Sequence, residues 1–205
     1  MKLLLSILLL LNSSLLLGQY RSEKEQALNG IDSIVFIMNY SHSIHIENTQ
    51  EVKMHIETMA DGEYKNNVLL RIEQKNKTLY VTEVLQPFLS IEDDKLSAHK
   101  IFSLKTRIRL PSHLYVTTKS TTATLATEGS FKHLFTELNS GSCILTSFVG
   151  DAIINTYRGD ITLYTKNATI SSRSVTGNIS SEPIFGQHQI RLKSISGNIN
   201  IHKIK

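Results

Sequence analysis

The chain has a single cysteine, Cys143, which excludes an intramolecular disulfide. It lacks a marked excess of either charge: 22 Lys+Arg stand against 18 Asp+Glu, one of those lysines being Lys2. So small a surplus, spread along the chain, argues against a nucleic-acid partner. Beyond Leu17 there is no apolar run long enough to cross a bilayer. No segment shows a 3.6-residue apolar period of helical length. Nucleophile elbows of the Gly-x-Ser-x-Gly kind, His-Glu-x-x-His pairs and phosphate loops are also missing. These absences leave an all-β chain without a recognisable catalytic signature.

The start of the chain is different in character. Lys2 precedes an apolar run from Leu3 to Leu17, interrupted by Ser6 and by Asn12-Ser13-Ser14, and Gly18 offers a small residue for cleavage. This reads as a secretory signal peptide over 1–18, removed on export and leaving no membrane span. No cysteine lies at the cleavage point, so a lipid anchor is not expected. Residues 19–30 read as a linker, and 31–205 as one domain of a size that supports a real core.

What is present is a nine-residue beat. Glycine recurs at Gly141, Gly150, Gly159, Gly177 and Gly186, with Ala168 at the one missed position. Two places on, the residues are Leu125, Leu134, Cys143, Ala152, Ile161, Ile170 and Ile179. Two further on they are Thr127, Thr136, Leu145, Ile154, Leu163, Ser172, Ser181 and Ile190. In Asp160–Lys166, Ile161, Leu163 and Thr165 alternate with Thr162, Tyr164 and Lys166, the pattern of a strand with one buried face. Gly-Asp and Gly-Asn pairs between strands supply tight corners. Ser174–Ser181 and Ser194–Ile201 are near copies. Two architectures fit: a β-solenoid with two strands per coil, or a meander of hairpins. Keeping the same two slots inward in every unit favours the solenoid, with a regular repeat from about residue 122.

Upstream, irregular strands are expected at Ser33–Met38, Ser43–Asn48, Val52–Thr58, Val68–Gln74, Thr78–Val84, Ile101–Leu110 and Leu114–Lys119, with a hairpin around Lys75-Asn76. Residues 86–99 form the one long loop. Downstream, the beat slips between Gly186 and Gly197, and Asn198–Lys205 reads as an edge strand paired on one side and guarded by His202, Lys203 and Lys205. With the irregular half covering the other end, a monomer is expected, or at most a weak dimer through the C-terminal edge.

The Arg107–Pro111 strand-to-turn, the Thr/Ser-rich run Thr117–Thr124 and the serial Gly-Asp-Ile and Ser-Gly-Asn-Ile units carry a resemblance. Over residues 31–202 the chain resembles the bacterial exported "putative adhesin" families of unknown function, among them auto-transporter-like head domains named for a Gly-Ile-Asn signature. The resemblance implies a right-handed β-helix in the periplasm or at the surface of a Gram-negative cell. It brings no catalytic residues. The repeat here is shorter and less regular than a long stalk would need.

Candidate sites are sparse. His42 and His45, three apart on a strand, point to opposite faces and cannot chelate together, and the other histidines are scattered. A calcium β-roll needs Gly-Gly-x-Gly-x-Asp in successive turns, whereas each corner here holds one glycine and at most one acid. Neither metal nor cofactor is expected. Cys143, in an inward slot, reads as a buried thiol acting as a small hydrophobe. The outward face carries Tyr157, Arg158, Tyr164, Lys166 and Arg173 beside many Ser, Thr and Asn. Such a surface suits a cell-surface glycan or protein. The expectation is thus a non-catalytic binding module of the envelope. Behind it stand a periplasmic structural or stress-associated protein without external ligand, and a carbohydrate-active β-helix enzyme.

Overall fold

The computed structural model describes residues 20–61, 68–86 and 103–204. The expected signal peptide, the 86–99 loop apart from Gln86, and Lys205 lie outside the described residues. The N-terminal part holds β1 (Tyr20–Ala27), β2 (Ser33–Ile37), β3 (Ser43–Asn48), β4 (Lys53–Asp61), β5 (Val68–Lys75), β6 (Thr78–Leu85), β7 (Ser103–Leu110) and β8 (Tyr115–Ser120). The repeat region holds β9 (Thr124–Ser140), β10 (Cys143–Arg158), β11 (Ile161–Thr165), β12 (Ala168–Ser174), β13 (Ile179–Ser181), β14 (His188–Ser196) and β15 (Ile199–Lys203). No helix occurs among the described residues. The strands form one open, mixed sheet.

The sheet folds into two flanks whose inward side chains share one core. The first flank runs β1-β4-β7-β3, then the first half of β9, the first half of β10, then β11-β15-β13. The second runs β5-β6-β2-β8, then the second halves of β9 and β10, then β14-β12. From β8 to β11 each strand lies parallel to the one eighteen residues later: Tyr115 pairs with His133, Leu125 with Cys143, and Cys143 with Ile161. Pairing is parallel throughout this region, so it is not a meander of hairpins. As far as Ile161 and Leu163 the inward slots are buried as the alternation requires, whereas Ile170 is partly buried and Ile179 exposed. Leu125, Cys143, Ile161 and Ile199 stack in one column, and Leu134, Ala152 and Ile190 in another.

The corners explain the sequence of the beat. A side chain on Gly141 would overlap the Ala123 carbonyl; one on Gly159 would overlap that of Gly141, and one on Gly197 that of Gly159. Gly159 also has φ 148°, backbone that L side chains resist. Beside this glycine column runs an Asx column. Asp160 Oδ1 accepts from Asn198 N at 2.7 Å, and Asn198 Oδ1 accepts from Asn178 N at 2.9 Å. Asp151, Asp160 and Asn198 thus each satisfy the corresponding amide of the next rung, which is why the pairs read Gly-Asp or Gly-Asn.

The order of the rungs differs from the expectation. The chain leaves β11, builds β12 and β13 one rung too far out, then returns to insert β14 and β15 into the gap. Accordingly β14 pairs with both β10 and β12, and β15 with both β11 and β13. Asn198–Lys205 was expected to be the one-sided edge; instead β15 is central, and β12 and β13 are the edge. Insertion keeps the register: Ile170 pairs with Ile190, so Ile190 lines up with Leu134 and Ala152 rather than with Leu145 and Ile154, with which the nine-residue beat had grouped it. The near copies are stacked neighbours, with Ser174 opposite Ser194 and Ile179 opposite Ile199.

The other end is antiparallel. β4 runs antiparallel to β7, β1 to β4, and β5 to β6 through the expected hairpin, where Asn76 has φ 55°. Residues 19–30, expected as a linker, include β1, which pairs along its whole length with β4. Ion pairs from Arg21 to Glu57 at 2.8 Å and Lys53 to Glu25 at 3.1 Å line that seam. Lys24 Nζ reaches across to the Leu70 carbonyl of β5 at 2.7 Å and ties the two flanks together.

The corner stacking is directly testable. Gly159→Ala forces a side chain into a neighbouring main chain at positive φ and should lower the unfolding free energy by about 3 kcal/mol. Gly30→Ala, at φ 71° with open space around it, should cost only about 1 kcal/mol. Urea titration of both variants measures the difference, and equal losses would mean that the corner column is not a close contact.

Candidate binding surface

The five outward residues expected from sequence fall into two groups. Tyr164 lies on the first flank, its ring stacked on that of His202 at 4.8 Å between centroids, and Lys166 follows it at the corner. Tyr157, Arg158 and Arg173 belong to the second flank, at the ends of β10 and β12. Tyr157 is half exposed, and the Arg158 guanidinium sits 5.7 Å from its ring centroid.

Two of them, Tyr157 and Arg173, border a depression. One hollow of about 430 Å³ is lined by Asn39, Lys119, Asn139, Asn155, Tyr157 and Ile195, among others. A second of about 290 Å³ is lined by Asn155, Ile195, Val175, Lys193 and Arg173 with their neighbours. The two share Asn155, Thr156 and Ile195, so together they make one groove crossing the ends of the second-flank strands from β2 to β12. It runs along the stack rather than along a strand, and each rung contributes one or two side chains.

The charge in this groove is uneven. Lys119 is neutralised by Glu137 at 2.6 Å. Farther along, Arg173 and Lys193 are directly opposite each other on neighbouring strands, both exposed. Among the described residues no carboxylate pairs with either of them. Like charges directly across a strand pair are unfavourable, and an anion between them would relieve the repulsion. Lys193 and the asparagines were not singled out from sequence. A signal for part of the set was there: Lys119, Glu137 and Asn155 are eighteen residues apart, in the outward slot that the parallel stacking brings into line.

Two buried titratable groups lie elsewhere. Glu83 on β6 turns inward, and its Oε2 accepts from Tyr40 N at 2.6 Å and Ser41 N at 3.0 Å. Ser41 Oγ donates to Oε1, and it lies 2.8 Å from Thr106 Oγ1. Burial raises the Glu83 carboxyl above the ordinary carboxylate value, and the bonds from Ser41 and Tyr40 oppose the rise without cancelling it. The carboxylate pins the β2–β3 corner to β6 and, through Ser41, to β7. Cys143 is wholly buried, its thiol pushed up to about 12 by desolvation. Among the described residues no group of three His, Cys, Asp or Glu side chains gathers to hold a metal. His45 meets Glu47, and His42 approaches Ser103 across the sheet.

No family model matches the chain, and none of the curated proteins compared with it matches either. Among solved structures, a "putative cell adhesion protein" of Clostridium sporogenes shares the fold at TM-score 0.67 and 17% identity, the match covering 91% of this chain and 100% of that one. A "putative adhesin" of Bacteroides fragilis is 12% identical at TM-score 0.41, covering 91% and 98%. A "putative lipid binding protein" of Parabacteroides distasonis is 10% identical at TM-score 0.33, covering 92% and 97%.

Two measurements check the buried groups. The Cys143 thiol should resist alkylating reagents in the native protein and react only on unfolding; rapid stoichiometric labelling at neutral pH would place it outside. For Glu83, the folded state holds its proton to higher pH than the unfolded chain does. Stability from this group is therefore lost as pH rises from the ordinary carboxylate value through the folded one. Glu83→Gln keeps an acceptor for the two amides and removes the titration. Its stability relative to the parent should rise between pH 4 and 7 in urea titrations, and a flat difference would show that the carboxyl is not desolvated.

Proposed function

We propose that the protein is an exported, non-catalytic binding module, a right-handed β-solenoid closed at one end by antiparallel strands, that holds an acidic polysaccharide in the second-flank groove. The observation that carries this reading is the Arg173–Lys193 pair. Two cations without a carboxylate partner among the described residues face each other at one end of a groove lined farther along by asparagine amides, Ile195, the Lys119–Glu137 ion pair and an exposed tyrosine. A carboxylate or sulfate on a sugar chain would bridge the cations. The Tyr157 ring offers a flat apolar face to a pyranose, and Asn39, Asn139 and Asn155 offer donors and acceptors to its hydroxyls. A groove along the stack, with repeating side chains one rung apart, suits a polymer better than a compact ligand. The leader-like start, the resemblance to exported adhesin families and the fold shared with the Clostridium sporogenes protein agree with a place in the periplasm or at the cell surface.

Calorimetric titration of the protein with acidic and neutral oligosaccharides of matched length tests this. Acidic chains should bind, and each of Arg173→Ala and Lys193→Ala should weaken them by about tenfold, the cost of one charge-assisted contact. Tyr157→Ala should weaken acidic and neutral chains alike. If no oligosaccharide binds, or if the two cation variants bind as the parent does, the groove is not a glycan site. The alternative of a structural envelope protein without external ligand would then take its place.

A further inference from the structure

The two ends of the stack are finished differently. At the antiparallel end the outer strands are heavily charged: β1 carries Arg21, Glu23, Lys24 and Glu25, and β5 carries Arg71, Glu73 and Lys75. Lys24 also bridges the two flanks there. Charge on an edge strand opposes pairing with another chain.

At the opposite end β12 and β13 each pair on one side only, β12 with β14 and β13 with β15. β12 reads Ala168-Thr-Ile-Ser-Ser-Arg-Ser174, with no proline, no lysine and no acid. Ile184 of the loop leaving β13 covers the core only in part here. Ile179 occupies the same inward column as Ile161 and Ile199 but is 44% exposed, and Ile170 is only partly buried. Val175 at the next corner is exposed, and Phe185 in the loop leaving β13 is 86% exposed. Among the described residues nothing pairs with this edge. An unpaired row of backbone groups beside exposed inward apolar side chains is completed by another β-strand, not by water or a sugar.

We infer that this edge is the interface of a two-fold dimer, in which β12 pairs antiparallel with β12 of a second copy about Ser171. The register is self-complementary. Centred on Ser171, it sets Arg173 opposite Thr169 of the partner subunit and Ile170 opposite the partner's Ser172. The like-charged arginines stay apart. Because even-numbered residues face even-numbered ones, the inward face continues across the axis, and the second copy covers Ile170 and Ile179. The charged antiparallel end cannot serve as the mate of this edge, so stacking closes at two copies instead of growing into a fibre.

Sedimentation velocity of the exported chain at tens of micromolar should give the mass of two copies. Ser171→Lys changes an exposed side chain at the axis and places like charges directly across it. It should weaken association by at least about tenfold without altering the circular dichroism spectrum, and Ser171→Glu should do the same. An equimolar mixture of the two variants should restore the dimer. With Cys143 sealed in the core, Ser171→Cys should form an intermolecular disulfide under mild oxidation, since directly opposed residues of an antiparallel pair lie within disulfide reach, whereas Thr169→Cys should not. A parent that stays monomeric, a dimer that ignores Ser171→Lys, cross-linking at residue 169 in place of 171, or growth into open-ended polymers would each overturn the inference.

Discussion

Main chain stacked on main chain at the corners is the contact on which the rest of this structure depends. Strand pairing alone would allow successive rungs to shift by two residues and still bury an apolar face. The corners remove that freedom. Gly141, Gly159 and Gly197 lie against one another's carbonyls with no room for a side chain, and Asp160 and Asn198, each following its glycine, hand a side-chain oxygen to the amide of the next rung. Once corners are in register, Leu125, Cys143, Ile161 and Ile199 must form one column. The same constraint lines up Lys119, Glu137 and Asn155 on the outside. The buried column and the outward groove are two consequences of a single spacing.

Where the corners lose this pattern, other interactions take over. Around Ser41 no glycine column exists, and the β2–β3 corner is held by the Glu83 carboxylate, which satisfies two amides and a hydroxyl at once. Burying a carboxyl carries a desolvation cost, visible in its raised proton affinity, and the three bonds offset part of it. At the antiparallel end, exposed ion pairs and the Lys24 contact to β5 finish the stack. Such pairs contribute little stability individually, but they make an edge that other chains avoid. At the repeat end Glu182, just past β13, meets His202 at 3.5 Å, but β12 carries no ion pair among the described residues. That asymmetry is a property of the stack as a whole, and no single rung displays it.

The legibility of the groove follows from how it is assembled. Tyr157 and Arg173 were recognisable as outward residues from alternation alone, as were Tyr164 and Lys166, which the structure places on the other flank. Alternation tells which face of a strand a residue occupies but not which flank the strand joins. Asn39 was out of reach of any short-range pattern, because β2 meets β8 only across more than eighty positions of chain. The pairing of Arg173 with Lys193 depends on β12 lying beside β14, and that neighbourhood is not implied by the twenty-residue spacing of the two positions in a chain whose beat is nine.

Strands, corners and the inward slots as far as Leu163 were legible in the chain alone, since each is a local matter of alternation, small residues and turn chemistry within a few positions. Ile161, Leu163 and Cys143 are sealed in the core as their slots require, and all seven strands expected upstream of the repeat are present. Only the tertiary structure decided the order of the rungs. Ser174–Ser181 and Ser194–Ile201 are near copies, and each offers the same glycine, the same asparagine and the same inward isoleucine to its neighbours. Rungs so alike are interchangeable as stacking partners, and no local feature ranks one above the other for the place beside β10 and β11. The rung of β14 and β15 takes that place, leaving β12 and β13 as the edge. The choice is made by contacts thirty-eight positions apart, such as Ile161 with Ile199.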